Sequence, residues 1–278
     1  MDRGWSPSHW AVVHAPRPRL TSGAIVLRLR AGEPLAVAVC DAIRTGERDR
    51  LIELLAENPE LATATIASDG GCRDERTLLH IATDWPGHFP NSAATVAALI
   101  DAGADVNARF VGRHAETALH WAASSDDLEL LDALLDAGAD IEASGSVIDG
   151  GTALADAVAF GQWNAARRLV EQGAQTTLWQ AAALGLLARV EEVFASADPP
   201  GADEVTNAFW CACHGGQLAA AEYLLDRGAD RDWIGHDGLT PTDAARRSNA
   251  GDLVDWLGRR RARSHEGLEQ NGADDQTP

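Results

Sequence analysis

The chain has 278 residues, 23 Lys+Arg against 42 Asp+Glu, and a formal net charge of −19. That balance disfavours nucleic acid as the main ligand, because phosphate contacts need clustered positive charge, and it suits a basic partner. No apolar run approaches the ~18 residues of a membrane helix, no signal-peptide core is visible, and Cys40, Cys72, Cys211 and Cys213 have no disulfide-framework spacing, so a reducing cytoplasm is the expected compartment.

Residues 1–33 read apart from the rest. Arg3, Arg17, Arg19, Arg28 and Arg30 face only Asp2 and Glu33, and Pro7, Pro16 and Pro18 oppose a helix. The expectation is disorder, or a stretch upstream of a misassigned start, with a basic arm on the acidic remainder as the alternative. Every basic residue is arginine, and Ala, Gly and Asp are abundant, which points to a high-GC bacterial source. Residues 34–263 repeat. Units start near Val37, Thr77, Thr117, Thr152, Thr176, Asn207 and Thr240, a drifting period of about 33 that fits a helix–turn–helix–finger unit. Each unit carries two apolar runs at helical spacing. In the third, Leu119, Ala122 and Ala123 serve the first helix and Leu128, Leu131, Leu134 and Leu135 the second. Gly138 then ends the second helix, where a left-handed residue is wanted. A helix pair of this size cannot bury its apolar faces alone, so neighbouring units must stack. The first unit, Pro34 to Leu61, is degenerate and flanked by charge from Asp41 to Glu53, as a cap would be. Residues 264–278 are polar and expected to be disordered.

Thr117-Ala118-Leu119-His120-Trp121-Ala122-Ala123 with Gly138-Ala139-Asp140 resembles the ankyrin repeat, as do Thr77-Leu78-Leu79-His80-Ile81-Ala82 with Gly103-Ala104-Asp105 and Leu224-Leu225-Asp226-Arg227-Gly228-Ala229-Asp230. The resemblance implies an all-α solenoid of about seven repeats with short β-hairpin fingers and degenerate caps. It also implies an interaction scaffold, without naming the partner. His80 and His120 occupy the motif's histidine, whose imidazole ties neighbouring backbone together, so their role is structural.

The departures from the period are informative. Trp85-Pro86-Gly87-His88-Phe89-Pro90-Asn91 is a surplus at a helix–helix turn, and its prolines and glycine make it a loop. The fingers after Asp105 and Asp140 are lengthened and carry Phe110-Val111 and Val147-Ile148. Only 24 residues separate Thr152 from Thr176, so a finger is nearly deleted and a notch is expected there.

No nucleophile elbow, phosphate loop or His-Glu-x-x-His occurs, and no cofactor is expected. Cys211-Ala212-Cys213-His214 has the wrong spacing for zinc, and two residues apart on a helix point in different directions, so Cys213 reads as core. Arg259-Arg260-Arg261-Ala262-Arg263 complements the dipole at the end of the last helix. Nine tryptophans are many for an Ala/Leu-rich chain, and tryptophan is enriched in binding hot spots. Trp179 and Trp210 are aligned with the motif's histidine. The first reading is a non-catalytic protein-binding module that grips an unidentified protein, a basic one being suited to the charge, through Phe110, Arg113, His114, Trp121, Ser124, Ser125, Trp233 and His236. The alternative is a small-molecule binder or enzyme using Asp156, Phe160, Trp163, Trp179, Trp210 and His214 around the notch.

Overall fold

Short first helices rich in alanine alternate with leucine-rich second helices in the computed structural model, which describes residues 26–68 and 74–260. The chain divides into two compact units, Met1–Gln175 and Thr176–Pro278. The boundary falls in the shortened connection that replaces a finger.

The first unit opens with β1 (Arg28–Arg30), α1 (Pro34–Thr45) and α2 (Arg48–Glu57), followed by β2 (Thr65–Ala67) and β3 (Glu75–Thr77). Three helix pairs complete it: α3 (Leu78–Ala82) with α4 (Ser92–Asp101), α5 (Ala118–Ser124) with α6 (Leu128–Asp136), and α7 (Ala153–Ala159) with α8 (Trp163–Glu171). First helices pack on first helices (α1 on α3, α3 on α5, α5 on α7), and second helices do the same (α2 on α4, α4 on α6, α6 on α8). Small residues allow the first contact: Ala118, Ala122 and Ala123 are buried to 1% exposure or less. Large ones fill the second, with Leu130, Leu131 and Leu134 fully enclosed. Leu128 and Leu135, expected among the buried set, are only half-buried, because Leu130 takes the inward position instead.

The second unit holds α9 (Leu178–Leu184), α10 (Leu187–Phe194), α11 (Ala202–His214), α12 (Leu218–Leu225), α13 (Pro241–Arg247) and α14 (251–260). α11 lies between α9 and α13, and α10 packs on α12. α9 and α11 approach so closely that a Cβ on Gly215 would sit 1.8 Å from the Ala183 carbonyl oxygen.

Three sequence expectations need correction. The first is the end of the segment expected to be disordered: Arg28–Arg30 form a strand, parallel to β2, which is antiparallel to β3. Leu29 and Ile66 face inward at the same register, both 5% exposed, and Arg28 pairs with Glu75 at 2.8 Å, so burial and charge order a segment that has no helical period. The second is α11, whose 13 residues begin before the expected start at Asn207. Pro199 and Pro200 end the preceding segment, and the Gly201 N–H donates to the Glu204 carboxylate at 3.0 Å, opening a helix where a finger was expected. The third is Trp179, which is half-buried and not at the motif's histidine position. Gln180 occupies that position and accepts the Thr177 N–H at 2.8 Å, so this unit starts one residue later than Thr176. The expectations for residues 1–25, Cys72 and 261–278 lie outside the described residues.

The Gly-Ala-Asp signature also has a mechanical reading. Gly138 has φ 90° with open space around it, so glycine is needed there for the backbone turn alone. The aspartate then folds the finger: Asp105 accepts the Asn107 N–H, Asp140 the Glu142 N–H and Asp230 the Asp232 N–H, at 2.9, 3.0 and 2.9 Å. Because Leu134 is wholly enclosed between stacked second helices, Leu134→Ala is expected to cost ~2–5 kcal/mol in chemical denaturation. A loss below about 0.5 kcal/mol, typical of a surface site, would place this residue outside the inter-repeat core.

Candidate interaction face

The face is built from first-helix N-termini and the fingers that meet them. Thr77 caps α3, and His80, three residues on, receives the Thr77 hydroxyl on Nδ1 at 2.8 Å. The other ring nitrogen, Nε2, reaches the Glu116 carbonyl of the next finger at 3.2 Å. A carbonyl only accepts, so Nε2 carries the proton. One repeat later the pattern recurs: the Thr117 N–H donates to His120 Nδ1 at 3.1 Å, and His120 Nε2 donates to the Gly151 carbonyl at 3.3 Å. In the second unit the Trp210 indole N–H donates to the Leu239 carbonyl at 2.8 Å, doing the imidazole's cross-repeat work from its aligned position.

On this frame each unit places an aromatic cluster. In the first unit Trp121 stands edge-on to His80 with centroids 5.0 Å apart, Phe110 of the finger leans on Trp121 at 5.4 Å, and the Arg76 guanidinium lies 5.7 Å from the Trp121 ring centre. Phe110 and Trp121 are half-buried, while Val111, the next finger residue, is 48% exposed. Arg113 is exposed and His114 half-buried. Partial burial, and then the Arg113 charge, lower the His114 pKa. Ser124 donates to the His120 carbonyl at 2.9 Å, and the Ser125 carbonyl accepts from His88 at 3.1 Å. These two serines therefore have structural duties at the end of α5.

In the second unit the Trp233 ring meets His236 edge-on at 5.8 Å, and His236 meets Trp210 at 5.1 Å. His236 Nε2 donates to the Asn207 side-chain oxygen at 2.8 Å. Ile234, adjacent to Trp233, is 67% exposed.

The six residues of the alternative set divide between the units. Asp156, Phe160 and Trp163 lie in the first, with Asp156 fully buried and the two aromatics half-buried. Trp179, Trp210 and His214 lie in the second, where Trp210 is 2% and His214 8% exposed and their rings stack at 5.6 Å. Cys211 and Cys213 are buried among apolar neighbours, which pushes the Cys211 thiol up to about 12 and that of Cys213 higher still. Neither is a reactive thiolate.

A feature the sequence did not reveal sits behind the first cluster. Glu116, 8% exposed, precedes Thr117, and Asp156 lies close enough to feel its charge. Asp156 Oδ1 accepts the Ser146 hydroxyl at 2.5 Å, whereas Oδ2 is buried without a hydrogen-bond partner. Burial, and then the Glu116 charge, hold the Asp156 carboxyl well above the usual range. Burial raises Glu116 to about 7, against a hydrogen bond from Trp121 that favours its ionised form. No periodic signal marks this pair, because the residues aligned with Glu116 in the flanking repeats are Arg76 and Gly151.

Comparison with known families agrees with this geometry. A family model described as ankyrin repeat matches residues 74–109, and one described as ankyrin repeats, three copies, matches residues 109–178. Residues 74–178 thus contain ankyrin repeats, a class of repeats that generally serves protein–protein interaction. No curated protein matches it. No helix among the described residues is long and apolar enough to cross a membrane.

Glu116 makes the first unit sensitive to pH. Its folded-state pKa lies above the ordinary value of 4.5, so the folded form holds a proton that the unfolded form has already lost. Stability therefore falls as pH rises from about 4.5 to about 7 and levels off above that. Glu116→Gln keeps an acceptor for the Trp121 N–H and removes the charge. It is expected to raise stability at pH 8 by up to ~3 kcal/mol, with little effect at pH 4.5, in paired denaturation curves. Parallel pH profiles for variant and wild type would contradict the burial argument.

Proposed function

We propose that the chain is a non-catalytic protein-binding module whose recognition surface is the layer of fingers and the ends of the first helices. In the first unit the surface comprises Phe110, Arg113, His114, Trp121, Ser124 and Ser125, and in the second Trp233 and His236. The observation that carries this reading is a repeated arrangement. In the first unit the finger aromatic Phe110 leans on Trp121 of α5, and in the second Trp233 leans on His236, which itself meets Trp210 of α11, while in both the β-branched neighbour (Val111, Ile234) is left exposed. Rigid aromatics beside exposed apolar side chains are the usual material of interface anchors, and a polar rim of Arg113 and His114 supplies orientation. The overall charge of −19 favours a basic partner. The small-molecule alternative is not carried forward, because Asp156, Trp210 and His214 are enclosed and offer no open wall.

A photo-crosslinking residue at Val111, with the same residue at Ile52 on α2 as control, tests the reading in cells of the source organism. A discrete protein adduct at Val111 and not at Ile52 is expected. Once that partner is in hand, Phe110→Ala should weaken binding by ~2 kcal/mol, roughly thirtyfold. Equal adducts at both positions, or unchanged affinity in Phe110→Ala with helical content retained, would refute it.

A further inference from the structure

The surplus loop at Trp85–Asn91 lies at a helix–helix turn, touching the residues assigned above to recognition through the Ser125 carbonyl, and it combines firm anchoring with unusual exposure. Asp84 anchors its start, receiving the guanidinium groups of Arg76 at 2.8 Å and Arg44 at 3.3 Å and the Trp85 N–H at 3.1 Å. The middle is held by the His88 N–H, which donates to Asp127 at 2.6 Å, and by His88 Nε2 on the Ser125 carbonyl. The end is tied back by Asn91, whose side-chain N–H donates to the Gly46 carbonyl at 2.9 Å. Three neighbouring repeats therefore hold this loop in one conformation.

Despite that anchoring, Trp85 is 83% exposed, the most exposed large apolar side chain among the described residues. Nothing in the packing of the first unit needs the ring there. Three residues further on, His88 and Phe89 border a cavity of about 330 Å³ that is completed by Ser92, Asp126, Asp127, Leu128 and Glu129. Its charged lining is acidic. Asp126 and Asp127 spend oxygens on the backbone N–H groups of Ala165 and Leu130, while Glu129 is exposed. Arg44 and Arg76, which hold the start of the loop, are already engaged by Asp84.

We propose that the Trp85 loop and the acidic cavity beside it form a second docking site, whose occupant is an arginine-bearing segment of a partner protein. An arginine-bearing segment matches both halves of the site: the flat face of one guanidinium suits the exposed indole, the best ring for a cation, and the N–H fork of another suits a carboxylate of the cavity such as Glu129. The carboxylates would repel an anionic membrane surface, which argues against lipid as the occupant. Because the loop is ordered before the partner arrives, little conformational entropy remains to be lost on binding.

The test uses the full chain and three fluorescein-labelled peptides of alternating Arg/Leu, Gln/Leu and Glu/Leu, read by anisotropy at low and high salt. The Arg/Leu peptide is expected to bind most tightly and to weaken with salt. Trp85→Ala, at an exposed position that leaves folding intact, should weaken it on the order of tenfold, and Glu129→Gln several-fold. The double variant Phe110→Ala/Trp121→Ala should bind this peptide like wild type, which separates the site from the finger face. The proposal is overturned if the Arg/Leu and Gln/Leu peptides bind alike or if Trp85→Ala changes nothing. Loss of binding only in the Phe110/Trp121 variant would place the peptide on the finger face instead. A wild-type dimer in sedimentation equilibrium that Trp85→Ala abolishes would assign the loop to a second copy of the chain and also overturn it.

Discussion

In the first unit, two imidazoles each bridge two repeats. His80 closes the N-terminus of its own helix through Thr77 and holds the Glu116 carbonyl of the following finger, and His120 does the same with Thr117 and Gly151. Each is fully buried, so every ring nitrogen must find a partner or carry a desolvation cost. The bond across repeats fixes where the finger stands relative to the first helices, and hence where Phe110 and Trp121 point. The proposed face therefore depends on these bridges as much as on its own residues.

Most of this architecture can be read from the sequence because it is repeated. The Thr-x-Leu-His pattern gives the cap and the bridge, Gly-Ala-Asp gives the helix stop and the finger turn, and leucine spacing gives the stack. What could not be read is what occurs once. β1 consists of three residues whose order comes from pairing with β2 and from Glu75, partners distant in sequence. Gln180 replaces histidine at one cap and shifts the apparent start of its unit by a single residue, so Trp179 is misaligned by pattern alone. Glu116 and Asp156 are ordinary acids in the sequence, and only the stacking that brings α7 near the finger ending at Glu116 makes them a buried pair. The surplus loop is visible as an insertion, but the contrast between its anchoring and the exposure of Trp85 arises only in the folded chain, from partners distant in sequence.

The charge distribution connects these features. An acidic chain would ordinarily keep carboxylates in water, yet Glu116 and Asp156 are buried, with Glu116 hydrogen-bonded to Trp121 of the candidate face. Holding both ionised there would set like charges against each other where water is excluded. Retaining protons avoids that cost and leaves the Trp121 indole next to a group whose charge changes near neutrality. The first unit thus carries the aromatics of the proposed face on a support whose protonation responds to its surroundings, while its outer acids remain in solvent.

The bridging imidazoles offer the most direct check. Burial holds both His80 and His120 down at about 4, from an ordinary 6.5, and the carbonyl partners require the proton on Nε2. Two-bond ¹H–¹⁵N correlation spectra across a pH titration should show two histidines with protonated Nε2 and bare Nδ1 that remain neutral to well below pH 5. If instead all histidines titrate near 6.5, or the buried pair carries its protons on Nδ1, the repeats are not joined through these rings and the account of the face fails with them.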